Sequence, residues 1–368
     1  MNSKERVMTA LNHETPDRCP INFRATPVVI DRLSDYLDLD YSGLLEYFEV
    51  DFREVIPDYV GPEDLNGLGT SPGNDIWGVK RKESVTEMKV GQESQTVESR
   101  DVYVCQSAFD GTEAIHDIVA YDWPSVEMFD FSNIENQCAQ YENYAISTPG
   151  IHAEGYHGVF HQLTYLFGMD KAMRKLITDE ELVQKTIEQI LNFWTDYYKK
   201  LFQSANGKID FLFYKDDFGA QDDLLISRDM IMKYFAPAVE KLADLAHDND
   251  VKFILHSDGS ILEIIPDLID LGVDVLDPIQ TSAKDMDIDV IQERFGDELV
   301  FHGGIDTQKD LPNFTVEEIK DLVRKTIDTL GGGGGYFFSP CHRIQPDAPL
   351  ENIFAMYDVA RNYSYEGR

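Results

Sequence analysis

The sequence predicts an α/β protein: a single (β/α)8 TIM barrel over residues 1–368, with an antiparallel β insertion in its first half. Three observations predict this fold class. Strand-sized apolar runs alternate with helix-sized amphipathic stretches, and about eight such runs occur along the chain. No Pro-, Ser- or Gly-rich linker or low-complexity tract divides the 368 residues, which favours one large domain.

The first half contains the less regular elements. Residues 19–23, 50–56 and 144–147 are short and apolar, and we predict them as strands. Between them, residues 76–105 alternate polar and apolar side chains, as solvent-facing antiparallel strands do. We therefore predict a β insertion over residues 74–105 within the barrel.

The second half repeats a strand and a helix several times. Strands are predicted at residues 209–214, 251–255, 273–276, 299–301 and 336–338. The helices that follow them are predicted at residues 229–247, 260–271, 287–295, 315–330 and 349–362. Continuous apolar strands of this kind form a parallel sheet covered by helices, either a closed barrel or a doubly wound sheet. The count of about eight strands favours the barrel.

Composition and charge exclude several classes of protein. The formal charge is −35 and no basic stripe is present, which argues against nucleic acid and anionic membranes as partners. Hydrophobic residues make up 43%, enough for a packed core. No apolar run approaches the roughly 20 residues of a membrane span, and the first residues do not resemble a secretory signal. The four cysteines include no CxxC pair, so we expect a reduced, cytoplasmic protein.

Polar residues follow the predicted strands directly, where a barrel of this class has its active site. At five consecutive strand ends, acids, amides and imidazoles are predicted to point toward one mouth. These are Asp216, Asp217 and Gln221; His256 and Asp258; Asp277 and Gln280; His302 and Asp306; and Cys341, His342 and Gln345.

Several of these residues also have a purely structural interpretation. The pair Asp216–Asp217 also fits a solvated turn or an N-cap for the segment that follows it. His256 follows an apolar strand and fits a satisfied structural histidine, and His302 fits a side chain beneath a loop. Asp277 and Asp306 fit helix caps. The glycine run 331–335 precedes a strand, with no Gly-Lys-Ser/Thr after it, so it indicates a flexible loop and not a phosphate-binding loop.

A metal site is one way to combine these side chains. His256 and Asp258 are spaced i, i+2 at a strand end, and His342 or Cys341 comes from another strand. Three such ligands with one open position are typical of catalytic zinc. Since a histidine with a carboxylate two residues later is common by chance, the spacing alone leaves both interpretations open.

Five long segments resemble one family. They are SKERVMTALNHETPDRCPINF, DDFGAQDDLLIS, HSDGSILEIIPDLIDLGVDVLDPIQ, FHGGIDTQKDLP and CHRIQPDAPLENI. Together they resemble the uroporphyrinogen decarboxylase-like superfamily, which contains decarboxylases and corrinoid-dependent methyltransferases. The resemblance covers nearly the whole chain. It implies a (β/α)8 barrel with its site at the C-terminal mouth, in agreement with the strand-end pattern.

This chain departs from the motifs of the family at several positions, and these departures help to decide which branch of the family it resembles. The decarboxylases carry an RQAGR-type double arginine, whereas this chain has Arg24 alone in FRATP. A porphyrinogen with eight carboxylates needs such clamps near a strongly acidic protein, so their loss disfavours decarboxylation. In the methyltransferases, a His-x-Cys pair and a later Cys bind zinc. His256 matches the histidine, Asp258 replaces the first cysteine, and His342 occupies the later register with Cys341 one residue away.

The resemblance implies a zinc-assisted methyltransferase that moves a methyl group from a small methylated substrate to a separate corrinoid protein. His256, Asp258, His342 and Cys341 are its expected Zn²⁺ ligands. Because carboxylate and imidazole donate less charge than thiolate, they leave the ion a stronger Lewis acid. Asp216, Asp217 and His342 are the expected catalytic residues, and like-charge proximity within the Asp pair is expected to raise one pKa and supply a proton.

Substrate binding is assigned to residues around the same mouth: Arg24, His161, Gln221, Gln280, Asp306 and Gln345. His157 and His161 both fit helix-start residues as well. No DxHxxG-type stretch is present, so a corrinoid would arrive on a partner protein. Two alternatives stay open, a carboxy-lyase of porphyrin biosynthesis and a non-catalytic subunit that binds the corrinoid module. The sequence also leaves open whether the chain forms a homodimer through outer helices.

Overall fold

A computed structural model of the chain describes residues 1–91, 96–111, 114–152 and 158–365. Its strands, in chain order, are β1 (Phe52–Glu54), β2 (Asp58–Tyr59), β3 (Gly73–Asn74), β4 (Lys80–Lys89), β5 (Thr96–Gln106), β6 (Phe129–Asp130), β7 (Ala145–Ser147), β8 (Phe211–Lys215), β9 (Lys252–His256), β10 (Val275–Ile279), β11 (Val300–Ile305) and β12 (Tyr336–Pro340).

The α-helices alternate with these strands through most of the chain. They are α1 (Ser3–Leu11), α2 (Pro27–Leu37), α3 (Tyr41–Tyr47), α4 (Ile115–Ala120), α5 (Ile134–Gln140), α6 (Val159–Phe167), α7 (Met169–Thr178), α8 (Glu180–Ala205), α9 (Arg228–Tyr234), α10 (Ala236–His247), α11 (Ile265–Asp270), α12 (Ile288–Phe295), α13 (Asp310–Asn313), α14 (Val316–Gly331) and α15 (Leu350–Asn362). Short 3-10 turns span Val126–Met128 and Leu262–Ile264. Within the described ranges, no helix has both the length and the apolarity that crossing a bilayer requires.

The central sheet is parallel and curled, with the order β1-β7-β8-β9-β10-β11-β12. Residues 19–23 complete the circle between its two ends. On one side Ile21 bridges Phe338 of β12 in parallel, and on the other the amide of Asp51 donates to the carbonyl oxygen of Ile21 at 2.8 Å. The eight strand positions predicted from the sequence therefore form the barrel, and the predicted fold class is confirmed.

The barrel has an apolar interior and an apolar outer layer. Inward-facing side chains such as Phe52, Phe211 and Phe337 form one buried cluster, which Val7 and Leu11 of α1 join. A larger cluster fills the space between strands and surrounding helices. Apolar burial on both faces of the strands explains why their sequences are continuously hydrophobic. Because apolar side chains fill both faces of the strands, polar side chains collect at the C-terminal ends of the strands, where the barrel opens.

The antiparallel insertion is present as predicted from the alternating pattern. β3, β4 and β5 form a separate three-stranded sheet, and β4 pairs with β5 from Lys80–Gln106 to Lys89–Thr96. Most β4 and β5 side chains are exposed or half-buried, in agreement with their alternating polarity.

Two predicted helices are interrupted in the structure. The stretch 229–247 divides into α9 and α10, and Pro237 lies in the first turn of α10. The stretch 260–271 begins as a 3-10 turn, and Pro266 lies in the first turn of α11. Proline has no N–H to donate and fits the first turn of a helix, where that donor has no partner. The sequence pattern missed these breaks because the apolar spacing continues across them.

Candidate active site at the barrel mouth

Three strands bring ionisable side chains to the mouth of the barrel. His256 is the last residue of β9, and Asp258 follows it by two residues. Asp217 comes two residues after the end of β8, and Asp277 lies in the middle of β10. Because these strands are parallel, their C-terminal ends meet at one edge, and the side chains converge.

The centre of the site is the imidazole of His256. Its Nε2 lies 3.3 Å from Oδ2 of Asp258 and 3.6 Å from Oδ1 of Asp217. One ligand atom from each of Asp217, His256 and Asp258 lies within 4.8 Å of the others. Two carboxylates and an imidazole are donors that zinc and other divalent cations accept. We call these three residues the acidic cluster.

Asp277 holds His256 from behind. Oδ2 of Asp277 lies 2.5 Å from Nδ1 of His256, and its Oδ1 lies 2.8 Å from both Nη2 of Arg24 and Nδ1 of His302. This contact holds a proton on Nδ1, so Nε2 of His256 faces the acidic cluster. A carboxylate behind a histidine ligand is a common feature of metal sites. The surroundings of His256 therefore fit a divalent cation.

Charge balance keeps Asp277 ionised. Burial alone would raise the pKa of Asp277, but Arg24, His302 and His256 hold it well below its usual range. Burial lowers the pKa of His302 to about 4, although Asp277 opposes this. For His256, burial acts downward, and the carboxylates of Asp258 and Asp277 outweigh it and raise the pKa to about 9. Without a metal, His256 therefore carries a proton at neutral pH.

His161 links the acidic cluster to the start of α6. Its Nδ1 lies 3.1 Å from Oδ1 of Asp216, and its Nε2 lies 3.3 Å from Oδ2 of Asp217. Burial lowers the pKa of His161, but the charge of Asp217 and the hydrogen bond with Asp216 outweigh it and raise the pKa to about 9. His161 is thus a cation beside two carboxylates. His157, four residues earlier, lies outside the described residues.

The expected proton-donating Asp pair has a different structure. Asp216 is fully buried and accepts hydrogen bonds from the amides of Phe160 and His161 and from the hydroxyl of Tyr214. It therefore caps the N-terminus of α6, which precedes it in the chain, whereas the structural interpretation expects a cap for the segment that follows it. For Asp217, burial raises the pKa, but His161 dominates and lowers it well below the usual value. The rise in pKa expected from like-charge proximity is not found at Asp217, because the imidazole of His161 lies against its carboxylate.

His342 and Cys341 take up different positions. Nε2 of His342 lies 3.9 Å from Oδ2 of Asp258, and its ring centroid is 6.5 Å from that of His256. Burial lowers the pKa of His342, so the ring is neutral at neutral pH. Cys341 donates its thiol to the carbonyl oxygen of Ile279 at 3.0 Å, and burial raises its pKa. Asp217, and not the predicted Cys341, completes the acidic cluster, because that thiol is protonated and bonded elsewhere.

The predicted substrate-binding residues divide between cavities. An outer cavity of about 280 Å³ is lined by Gln221, Asp258, Gln280, Asp306, Thr307, Gln308, Cys341 and His342. An inner chamber of about 20 Å³ is lined by Arg24, Gly150, His152, Phe213, Lys215, His256, His342 and Arg343. His342 lies between the two spaces. The structure therefore brings Gln221, Gln280 and Asp306 together in the outer cavity and places Arg24 in the inner chamber.

Three of these polar side chains also support loops. Oε1 of Gln280 accepts from the amide of Gly259 at 2.7 Å. Asp306 accepts from the amides of Lys309 and Asp310 and so caps α13. Nε2 of Gln345 donates to the carbonyl oxygen of Arg343, within its own loop. Substrate contact by Gln345 stays a prediction.

Three residues at this site were given no functional role in the sequence analysis. Asp277 was noted as a strand-end residue and a candidate cap, although it is the partner of His256. Lys215 and Arg343 line the inner chamber. Lys215 carried a recognisable signal, since it is the one charged residue of the otherwise apolar strand β8. Arg343 directly follows His342 and carried no signal of its own.

Comparison with known proteins gives a family and several relatives. The family model described as uroporphyrinogen decarboxylase (URO-D) matches residues 156–363. A methionine synthase from Methanothermobacter thermautotrophicus is 30% identical over 93 residues, which is 25% of this chain and 30% of that protein. A uroporphyrinogen decarboxylase from Coxiella burnetii is 31% identical over 78 residues, 21% of each chain. The matched segments thus span less than a third of these relatives.

A solved structure is similar over nearly the full length. A methyltransferase from Methanosarcina mazei superposes with a TM-score of 0.66, and the match covers 98% of both chains at 16% sequence identity. At this identity the likeness establishes the fold over nearly the whole chain.

Proposed function

The chain belongs to the uroporphyrinogen decarboxylase family, and from that premise we propose that it transfers a methyl group from a small methylated substrate to a corrinoid on a separate protein. The observation that carries this proposal is the acidic cluster of Asp217, His256 and Asp258 at the barrel mouth. These residues would hold Zn²⁺, and His342, which lines both cavities, lies beside them. A zinc ion bound there supplies a Lewis acid for the heteroatom that carries the methyl group.

Asp277 acts in this proposal as a positioning residue. Its 2.5 Å contact keeps the Nδ1 proton of His256 in place and directs Nε2 toward Asp217 and Asp258. Arg24 and His302 in turn fix the carboxylate of Asp277. A ligand held in one orientation loses little entropy on binding, so the network prepares the site before substrate arrives.

His161 is the proposed proton donor. When the methyl–heteroatom bond of an uncharged O- or S-methylated substrate breaks, its electron pair stays on the heteroatom, which must take up one proton to leave as a neutral group. His161, with a pKa of about 9, is protonated at neutral pH and lies beside Asp217. This role replaces the acid function first assigned to Asp216 and Asp217.

The comparisons support methyl transfer over the other chemistry of the family. The full-length structural relative is a methyltransferase, and one sequence relative is a methionine synthase. Two carboxylates and an imidazole form a possible metal site, which a metal-dependent reaction can use. The alternative, a decarboxylation without a metal, does not need such a site. The corrinoid partner follows from the family resemblance.

Two measurements test this function. Protein purified without chelator is analysed for metal by mass spectrometry, and about one zinc per chain is expected. Cob(I)alamin is then incubated with the protein and a panel of O-, N- and S-methylated compounds, and methylcobalamin is followed by absorbance. His256→Ala is expected to lose both metal and methyl transfer. His247→Ala, which removes an exposed histidine paired with Asp274, is the matched control and keeps both. A metal-free wild-type protein whose turnover is unchanged by His256→Ala contradicts the proposal.

Decarboxylation of a porphyrinogen is the second candidate. The family model and the Coxiella burnetii relative carry that name, and Arg24 provides one basic group at the site. However, Nη2 of Arg24 is engaged by Asp277. Release of CO2 from uroporphyrinogen by the purified protein, unaffected by metal removal, would favour this candidate over methyl transfer.

A further inference from the structure

The outer cavity at the barrel mouth is acidic and rich in hydrogen-bond acceptors. Its lining includes the carboxylates of Asp258 and Asp306 and the amides of Gln221, Gln280 and Gln308, and among the described residues no lysine or arginine lines it. Three internal segments lie outside the described ranges and contain no lysine or arginine either: 92–95, 112–113 and 153–157. Because Asp258 belongs to the acidic cluster, Asp306 is the carboxylate of this cavity that the proposed metal site does not use.

Asp306 uses only one of its carboxylate oxygens within the protein. Oδ2 accepts from the amides of Lys309 at 2.7 Å and Asp310 at 3.2 Å. Among the residues that the structure describes, none donates to Oδ1 and none forms an ion pair with this carboxylate, although Asp306 is only 2% exposed. A buried carboxylate oxygen is costly unless a ligand or water donates to it. Oδ1 therefore indicates a ligand in the outer cavity.

Thr307 adds a second oxygen beside this carboxylate. It is 4% exposed and lines the same cavity. Within the described part of the chain, its hydroxyl makes no hydrogen bond, and neither do the exposed side chains of Gln221 and Gln308. Gln280, in contrast, already accepts from the amide of Gly259. Asp306 and Thr307 thus provide two adjacent buried oxygens for a donor inside the cavity.

A small organic cation fits these oxygens better than a metal ion does. Mg²⁺ and Ca²⁺ take about six or more oxygen ligands, whereas Asp306 and Thr307 provide two buried ones. The cavity volume of about 280 Å³ lies near the lower limit of small-molecule sites, which span roughly 300–1,000 Å³. An ammonium group is a compact charge with several N–H donors. Oδ1 of Asp306, the hydroxyl of Thr307 and an amide oxygen can accept from it together.

We propose that the outer cavity binds a protonated amino group of the substrate, with Asp306 as its ion-pair partner and Thr307 as a further acceptor. This inference deepens the proposed function, on which it rests, by naming the substrate class: an O- or S-methylated compound that also carries an ammonium group. Asp258 belongs both to the cavity and to the acidic cluster, so an amine held by Asp306 lies beside the proposed metal site. Asp306 in this role determines specificity and does not take part in the chemical step.

Ammonium binding is tested without any methyl transfer. Purified protein at pH 7 is titrated with 2-methoxyethylammonium, and saturation-transfer NMR on the methoxy protons reports binding. 2-Methoxyethanol is the neutral probe of the same shape. The ammonium compound should bind saturably and about tenfold more tightly than the alcohol, since a hydrogen bond to a charged partner is the stronger one.

The variants locate the binding site. Asp306→Asn keeps an oxygen that can cap α13 but removes the charge, and it should weaken ammonium binding about tenfold. Thr307→Val should weaken it about threefold. Asp310→Asn is the matched control, because Asp310 lies on the same helix but outside the cavity lining, and it should leave the affinity unchanged. Circular dichroism of each variant confirms folding.

Four outcomes overturn the inference: absence of saturable binding, equal affinity for 2-methoxyethanol, unchanged affinity in Asp306→Asn, or displacement of the probe by K⁺ or Mg²⁺ at equal concentration. Binding that depended on the acidic cluster would persist in Asp306→Asn. If that variant did not fold, unchanged affinity in Thr307→Val would overturn the inference in its place. Because no cobalamin is present, ammonium binding can persist when methyl transfer fails, and methyl transfer from neutral compounds can persist when the ammonium compound does not bind.

Discussion

The two ends of the barrel each contain a buried aspartate bound by arginine. The hydrogen-bond network around the aspartate at the mouth faces the cavities, whereas the network at the bottom is closed within the protein. At the bottom, Asp51 accepts from Arg6 and Arg18, each at 2.7 Å, and from the amide of Ile21 at 2.7 Å. Near the mouth, Asp277 accepts from Arg24, His302 and His256. The same type of ion pair is used twice, and its surroundings decide what it does.

The difference lies in the partners of each aspartate. Arg6 and Arg18 direct their remaining donors to Asp17 and to backbone carbonyl oxygens, so the bottom network is complete. At the mouth, His256 turns its second nitrogen to Asp217 and Asp258, and Arg24 lines the inner chamber. A complete network stabilises the fold. An incomplete one leaves donors and acceptors for a ligand.

The largest expected effect is on stability at the bottom. Asp51→Asn removes the charge between Arg6 and Arg18, and breaking a buried pair in this way costs about 3–5 kcal/mol. Urea unfolding measures the loss. Metal content and affinity of the folded variant should match wild type, since the acidic cluster lies at the other end of the barrel. If Asp51→Asn lost the metal and its free energy of unfolding changed little, the bottom network would not be the purely structural one.

At the mouth, Asp277→Asn should weaken metal binding. Asparagine keeps the shape but not the charge that orients His256, and loss of such a partner lowers metal affinity about 10–100-fold. Competition with a chromophoric chelator gives the affinity. Asp274→Asn is the matched control, since Asp274 precedes the same strand and binds Lys252 and His247 at the opposite end. Equal losses in both variants would mean that Asp277 acts only through folding.

The open network also predicts a pH dependence. With a pKa of about 9, His256 is protonated in the metal-free protein at pH 6–8, and a metal must displace that proton. Affinity for Zn²⁺ should therefore rise about tenfold per pH unit as pH increases, and level off above pH 9. Titrations at pH 6, 7 and 8 measure the slope. A flat profile over this range would indicate that His256 is already neutral.

The smallest effect is expected at Cys341. Its thiol donates to the carbonyl oxygen of Ile279, and serine can donate in the same place. Cys341→Ser should change metal affinity less than about threefold, a difference below 1 kcal/mol. Loss of the metal in this variant would instead indicate that the Cys341 thiolate is a metal ligand, as the family resemblance implied.

The fold was largely predictable because its signal is local. Continuous apolar runs separated by helical stretches located all eight barrel strands, including residues 19–23, which close the barrel through only a few backbone contacts. Strand ends were less certain. β10 and β11 extend through Asp277 and His302, because these polar side chains satisfy each other inside the mouth. A sequence pattern assigns such residues to loops.

The site was predictable in part, since residue type and position alone do not fix partners. His256 and Asp258 lie together as expected, and His342 lies nearby. The roles of Asp216, Asp217 and Cys341 depended on contacts made across the barrel, with α6 and with β10. Such contacts join residues distant in the chain and leave no pattern in the local sequence.

Anomalous X-ray diffraction at the zinc edge, from crystals of protein purified without chelator, tests the central claim most directly. The account predicts one peak at the mouth, within about 2.0–2.2 Å of Nε2 of His256 and of carboxylate oxygens of Asp217 and Asp258. A peak bound by the sulfur of Cys341, or crystals without any peak at His256, would contradict it.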